Sequence, residues 1–317
     1  MDWSTVDALM VATRAVHFAA TVITAGSIIF RTVVAPPSLR LQAIAADSFS
    51  KQSIWIAWLA LAASVVSGAI WLLLQALSMS GMSLDEALAT NVFSTVVNDT
   101  QFGNVAMLRA VLAVGLAACL ALDRMLIVRR IGLAAALAFA ASIAWTGHAG
   151  STIGTLGYLH LAADALHLIA AAAWIGGLVA LLSFLAVAHQ NKAKSLACDA
   201  VRRFSTLGIA SVAILLLSGI INAAILVGSP RGLVATDYGR VLLLKLGLFA
   251  VMLAFAGVNR FRLTPRLSSS DSERQSTALR KITRNSAIEI ALGLGILILV
   301  GLLGTLHPAI HMNLSPD

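Results

Sequence analysis

The stretch that decides the fold is Tyr158-Leu159-His160-Leu161-Ala162-Ala163-Asp164-Ala165-Leu166-His167-Leu168-Ile169-Ala170-Ala171-Ala172-Ala173-Trp174-Ile175-Gly176-Gly177-Leu178, which continues apolar to Ala188 with Ser183 the one further polar residue. A helix crossing a bilayer needs about 20 mostly apolar residues, and this run exceeds that. On a helix turning about 100° per residue, His160, Asp164 and His167 fall within roughly 60° of one another. Ala171 and Trp174 continue the same line. Ionisable groups in lipid are costly unless they face a cavity or a partner, so this stripe is a candidate site as well as a span.

Working outward, eight stretches have the length and character of spans: 9–34, 53–77, 104–122, 131–147, 158–188, 204–228, 240–258 and 286–306. Of the 317 residues, 59% are apolar and 11% charged, and the mean hydropathy is +0.91. Soluble domains carry about 45–50% apolar and about 25% charged residues, so a water-soluble globular class is excluded. The expected fold is an all-α integral membrane protein, residues 1–317 forming one polytopic domain. The start, Met1-Asp2-Trp3-Ser4, lacks the basic segment of a cleaved signal peptide, so the first span is expected in the mature protein.

The net charge of +8 is explained by loop placement. Alternate loops hold Arg40 and Lys51, then Arg124, Arg129 and Arg130, then Lys192, Lys194, Arg202 and Arg203, then seven basic residues from Arg260 to Arg284. The other set holds Asp85, Glu86 and Asp99, a nearly uncharged turn after His148, and a short loop with Arg231 and Asp237. The bias expects both termini outside and the basic loops in the cytoplasm, with the bilayer and not nucleic acid as the charge's partner. Trp3, Trp71 and Trp145 fall at the outer boundary and Trp55 and Trp58 at the inner one. Cys119 and Cys198 are too few and too far apart for a disulfide framework or a CxxC redox site.

The two halves repeat. Arg14-Ala15-Val16-His17-Phe18-Ala19-Ala20 lies over Asp164-Ala165-Leu166-His167-Leu168-Ile169-Ala170, and Gly26 falls on Gly176. Ser67-Gly68 of span 2 matches Ser218-Gly219 of span 6. Phe102-Gly103 with Arg109 matches Tyr238-Gly239 with Lys245, and Thr146-Gly147-His148 matches Thr305-Leu306-His307. Four spans per half give both halves one orientation. The expected architecture is therefore two parallel four-helix repeats, about 1–130 plus span 4 to 150 and about 151–317, related by a pseudo-two-fold axis along the membrane normal. Residues near such an axis occur as facing pairs, which makes His17 with His167, and His148 with His307, candidates for one shared centre.

Depth supports the pairing: His17 lies about eight and His167 about ten residues below the outer boundary, or roughly 12–15 Å at 1.5 Å per residue. Arg14, His17 and Thr21 form a stripe on span 1, and Met10 matches His160 across the repeat. Arg109, Asn222 and Lys245 also lie in the outer half. Below them only Ser and Thr appear until Glu289, so the expected cavity opens outward without an evident polar path through the inner half. Asp164 is expected to offset Arg14 or Arg109. Gly26, Gly176 and Gly177, with Ala287, Ala291 and Gly295, are expected at close helix contacts. His189 and His311 receive no role.

Imidazole suits copper, zinc, iron and nickel, and thioether narrows the choice toward copper(I). Met10, Met79, Met82, Met107 and Met312 all fall on the outer side, Met79-Ser80-Gly81-Met82 as an MxxM. The candidate ligands are His17 and His167 as a deep pair, His148, His160 and His307 as a capture site, and Met10, Met79 and Met82 as assisting thioethers. Asp164, Arg14, Arg109, Lys245 and Trp174 are accessory. The alternative is a b-type haem held between His17 and His167 in a redox or metal-reductase subunit, with Arg109 or Lys245 meeting the propionates. No nucleotide-binding or aspartyl-phosphate signature is present, which argues against a primary pump.

Thr146-Gly147-His148-Ala149-Gly150, the run from His160 through Leu178, Asn259-Arg260-Phe261-Arg262-Leu263-Thr264-Pro265-Arg266-Leu267, and Gly301 to Pro308 resemble the copper resistance protein D family over nearly the whole chain. The resemblance implies a non-enzymatic protein of the bacterial inner membrane that takes copper from a periplasmic CopC-type partner and moves it inward. Some relatives carry a CopC-like domain in the same chain, and this sequence has no such soluble segment.

Overall fold

The computed structural model describes residues 5–35, 39 and 43–311, and within them every regular element is helical. Trp3, Arg40 and Met312 lie outside the described residues. Eight helices are long and apolar enough to cross a membrane: Asp7–Val34, Ile44–Ser80, Gln101–Ala121, Leu126–Thr146, Gly154–Gln190, Lys194–Val227, Asp237–Ser268 and Ser272–Leu303, called spans 1 to 8. All eight expected stretches are there. Spans 2, 6, 7 and 8 extend well beyond their apolar stretches at the basic end, because helix continues there through charged sequence. The segment from Arg260 to Arg284, expected as a loop, is therefore mostly helical. Only a short turn after Ser268 interrupts it, before the Asp271 carboxylate caps span 8 by accepting the Glu273 N–H at 2.8 Å and the Arg274 N–H at 3.3 Å. Those N–H groups hold the Asp271 carboxyl below the ordinary range.

Spans 1 and 5 form the centre, with 56% and 78% of their apolar windows buried within the protein, against 39% or less for every other span. They touch at Gly26 and Gly176. A Cβ on Gly26 would collide with Ala172 O and with the Gly176 backbone, and one on Gly176 with Val22 O. Small residues at a crossing let backbones approach where lipid supplies no hydrophobic driving force. Gly177 instead makes room for the Phe204 ring of span 6. The stripe of Ala287, Ala291 and Gly295 does not form such a crossing. Ala287 and Ala291 are exposed on the bundle's outside, and the buried row on span 8 is two positions away: Asn285, Glu289, Gly293, Leu297 and Gly301. Composition alone does not say which face of a helix is buried.

The end of the bundle opposite the basic one, where the connections after spans 2, 4 and 6 lie, is built from short helices, Leu84–Ala89, Val92–Asp99, His148–Ser151 and Pro230–Ala235. Spans 3 and 7 start in the same way. Thr100 Oγ1 donates to Val96 O at 2.6 Å and accepts the Gly103 N–H at 3.0 Å, and Thr236 Oγ1 donates to Gly232 O at 2.7 Å and accepts the Gly239 N–H at 3.0 Å. Side chains at Gly103 and Gly239 would strike the helix before each cap.

Span 1 at Phe30–Val34, span 5 at Ala172–Gly176 and span 7 at Asn259–Leu263 each contain a π-helical turn, the one in span 7 lying just before Pro265, and span 4 ends in a 3-10 turn at Ser142–Thr146. Such turns occur frequently at functional sites. Trp55 and Trp58 are exposed, as boundary residues should be, and Trp145 is too. Trp71 differs from its expected role as an interfacial anchor: it is buried against His17, Phe18 and Phe102, with ring centroids 5.4, 5.7 and 5.2 Å away.

Candidate metal centre

His17, 3% exposed, lies between spans 1 and 2. Its Nδ1 is 3.0 Å from Ser64 O and 3.2 Å from Ser67 Oγ. A carbonyl oxygen carries no proton, so Nδ1–H is the donor and Nε2 keeps its lone pair. Ser67 spends its own proton on Ala63 O at 2.6 Å and can only accept from the ring. Nε2 is buried without a hydrogen-bond partner. The ring borders a cavity of about 230 Å³ between spans 1, 2, 3 and 4, whose wall also includes Gly68, Trp71, Phe102, Met107, Arg109 and Thr146. Gly68 makes room for the imidazole, since a Cβ there would stand 3.1 Å from Cε1.

One turn further along span 1, Thr21 shares a hydrogen bond of 3.0 Å with Ser64 and accepts from Arg109 Nη2 at 2.9 Å. Arg109 also donates from Nη1 to Phe139 O and Ser142 Oγ, both at 2.7 Å. Its guanidinium, lying 4.2 Å from the Phe139 ring centroid, closes the cavity floor with a positive charge. That charge disfavours a cation passing His17 on this side.

The second half repeats the histidine. His167 Nδ1 is 2.9 Å from Ser218 Oγ, which donates to Ile214 O at 2.6 Å, so this ring too presents Nε2 as the free base. Gly219 lies beneath it, as Gly68 lies beneath His17. Asp164 accepts from Asn222 Nδ2 at 3.0 Å and is balanced by the Lys245 ammonium. The expected pairing of Asp164 with Arg14 or Arg109 is therefore corrected. Arg109 is committed to first-half oxygens, and Arg14 stacks over Trp71 at 4.9 Å and Phe18 at 5.8 Å. The bonding partners of His17 and His167 lie on spans 2 and 6, each within its own half.

The remaining candidates lie nearer the outer end. His160 is buried and bonded through Nδ1 to Thr152 Oγ1 at 2.8 Å, and the His148 ring is 6.2 Å from Tyr238. His307 is exposed, Met10 is buried two turns above His17 on span 1, and Met79 and Met82 are exposed around a left-handed Gly81. Beside that turn, the Ser83 N–H and hydroxyl hold the Glu86 carboxyl below its ordinary range. Among the described residues no three His, Cys, Asp or Glu side chains converge as a metal cluster. Met107 was legible only as one more outer methionine, and its place on the cavity wall comes from the packing of span 3.

Two family matches cover most of the chain: residues 5–158 match the copper resistance protein D-like N-terminal domain and residues 198–303 match copper resistance protein D. The chain is 32% identical to "Copper resistance protein D" of Pseudomonas syringae pv. tomato over 261 residues, 79% of this chain and 81% of that protein. It is 30% identical to "Inner membrane protein YebZ" of Escherichia coli (strain K12) over 298 residues, 94% of this chain and 98% of that one. To "Copper transport protein CutJ" of Bacillus subtilis (strain 168) it is 35% identical over 159 residues, 49% of this chain and 26% of that longer protein. No solved structure matches it. The protein is a multi-span membrane protein and belongs to the copper resistance protein D family.

Proposed function

We propose that this protein takes up copper(I) from the periplasmic side of the bacterial inner membrane and passes it inward, without enzymatic chemistry of its own. The observation that carries the reading is the His17 ring, which borders a cavity and whose Nε2 is a desolvated lone pair without a hydrogen-bond partner. Histidines that bind metal characteristically give their other N–H to an oxygen acceptor, as Nδ1 does here to Ser64 O. Met107 is the nearest soft donor type on the cavity wall, and His167 Nε2 is the second-half counterpart. His148, His160 and His307, with Met10, Met79 and Met82, form the capture route, and Asp164 with Lys245 sets the charge of the second half. The relatives named for copper resistance and copper transport support copper as the cargo.

The same proposal includes the architecture: two parallel four-helix halves related by an axis along the membrane normal, with both termini periplasmic. The matched Ser67/Ser218, Thr100/Thr236 and Gly26/Gly176 contacts support it, as does the collection of Lys and Arg at one end of the bundle. A separate CopC-type periplasmic protein delivers the metal. The haem alternative finds no support among the relatives, which are named for copper resistance and copper transport. The test is copper accumulation, under copper(I)-maintaining conditions, by proteoliposomes containing the protein. Accumulation above that of a His17→Ala variant is expected, and equal accumulation would refute the reading.

A further inference from the structure

The inner half holds one buried carboxylate that the copper site does not use. Glu289 on span 8 is 2% exposed. Its Oε1 accepts from Asn259 Nδ2 at 2.7 Å, and the Trp174 indole N–H is its second donor. Asn285 Nδ2 holds Asn259 Oδ1 at 2.8 Å, which fixes the Asn259 amide with its NH₂ toward the carboxylate. Trp174 lies in the π-helical turn of span 5 and Asn259 opens that of span 7, so two of the three π-helical turns meet at this one side chain.

The cradle is made of neutral donors only. The charged side chains on the elements packed around it are engaged or turned away. Arg31 of span 1 bonds Asp123 and Ser53, Arg260 of span 7 bonds Ser205 at 3.2 Å, and Arg262, Arg280, Lys281 and Arg284 are exposed or bordering solvent. Lys245 is committed to Asp164 in the outer half. Donor-only hydrogen bonding favours an ionised carboxylate, whereas burial without a counter-charge favours a neutral acid. Opposed effects of this kind make a group that changes state with its surroundings. Asp164, the other carboxyl within the spans of the outer half, has its counter-ion already.

We propose that Glu289 is a proton-binding site facing the cytoplasmic side, and that its protonation changes when copper moves through the protein. The proton comes from cytoplasmic water, reached past Asn285 toward exposed Arg284, five residues or about 7.5 Å along the helix. It binds one carboxylate oxygen, turning an acceptor of two hydrogen bonds into a neutral acid and loosening the hold of Asn259 and Trp174 on span 8. Oxygen and amide donors suit a proton and not soft copper(I), so this is a second kind of site and not a continuation of the first. The coupling to copper rests on the transport reading, and the proton site does not.

Infrared difference spectra of the protein in lipid nanodiscs, titrated with pH, test the site. A protonated-carboxyl C=O band that grows as pH falls is expected. It is lost in Glu289→Gln and kept in Asp164→Asn, while copper(I) content is unchanged in Glu289→Gln. Persistence of the band in Glu289→Gln, or its absence from a parent protein that still binds copper, overturns the proposal. Asn285→Ala keeps the carboxyl but frees Asn259, and must shift the titration of the band; an unmoved band overturns the cradle's role. In proteoliposomes holding a trapped pH dye, copper entry through the parent should move protons and entry through Glu289→Gln should not. Equal proton movement in both defeats the coupling, whereas loss of copper content in His17→Ala reads the copper site alone.

Discussion

His17 Nδ1 donates to the carbonyl oxygen of Ser64 at 3.0 Å, and this one bond decides which nitrogen can serve as a ligand. It places the proton on the nitrogen facing span 2 and leaves Nε2 basic beside the cavity. The same arrangement recurs at His167 and Ser218, where the bond is 2.9 Å.

Because each imidazole is oriented by a serine, Ser67→Ala and Ser218→Ala should each weaken copper(I) binding without abolishing it, by about 10-fold, the lower end of what loss of a ligand's supporting partner costs. Competition titration against a copper(I) chelator measures this. Unchanged affinity in both variants would mean that the rings are held by the backbone carbonyls alone.

Gly68 gives His17 its place, and a side chain there would stand 3.1 Å from Cε1. Gly68→Val should push the ring from its position and reduce copper content while the helical circular dichroism is kept. Gly115→Ala, which meets nothing within 4 Å, is the control and should bind as the parent does.

The crossing of spans 1 and 5 has no room at Gly26. Gly26→Leu should lower folding stability by about 1–3 kcal/mol or more, the usual cost of overpacking, and appear as a lower midpoint in detergent melts. A melt unchanged from the parent would show that the two helices can separate at little cost.

At the basic end Asp123 holds Arg31 and, at 3.3 Å, Arg129, with side-chain exposures of 15%, 9% and 37%. Asp123→Asn leaves Arg31 without its counter-charge. A loss on the order of 1–3 kcal/mol is expected, between the values for exposed and fully buried pairs, read from the same melts.

Orientation is checked by labelling in a background of Cys119→Ser and Cys198→Ser. A membrane-impermeant maleimide added to intact spheroplasts should label Met82→Cys and spare Ser270→Cys until the membrane is broken. The reverse pattern would invert the topology.

The eight spans were legible because length and apolarity are properties of the sequence itself. The matched Ser67-Gly68 and Ser218-Gly219 were also legible, though not their purpose. What could not be read was rotation about the helix axes. Whether His17 turns to span 2 or to span 5, and whether span 8 packs through Ala287 and Ala291 or through Glu289 and Gly293, depends on lateral packing between helices far apart in sequence. The inner network escaped for the same reason: Trp174, Asn259, Asn285 and Glu289 come from three spans, and the π-helical turn that holds Trp174 has no proline to announce it. Helix continuing through charged sequence from Ser272 was hidden because hydropathy marks where lipid begins, not where the helix does.

The most direct test of the central claim is the copper content of purified protein after anaerobic copper(I) loading and desalting, compared between the parent and His17→Ala. The account predicts that the variant, folded by circular dichroism, loses the copper bound at the first-half cavity. Equal copper in parent and variant would contradict it.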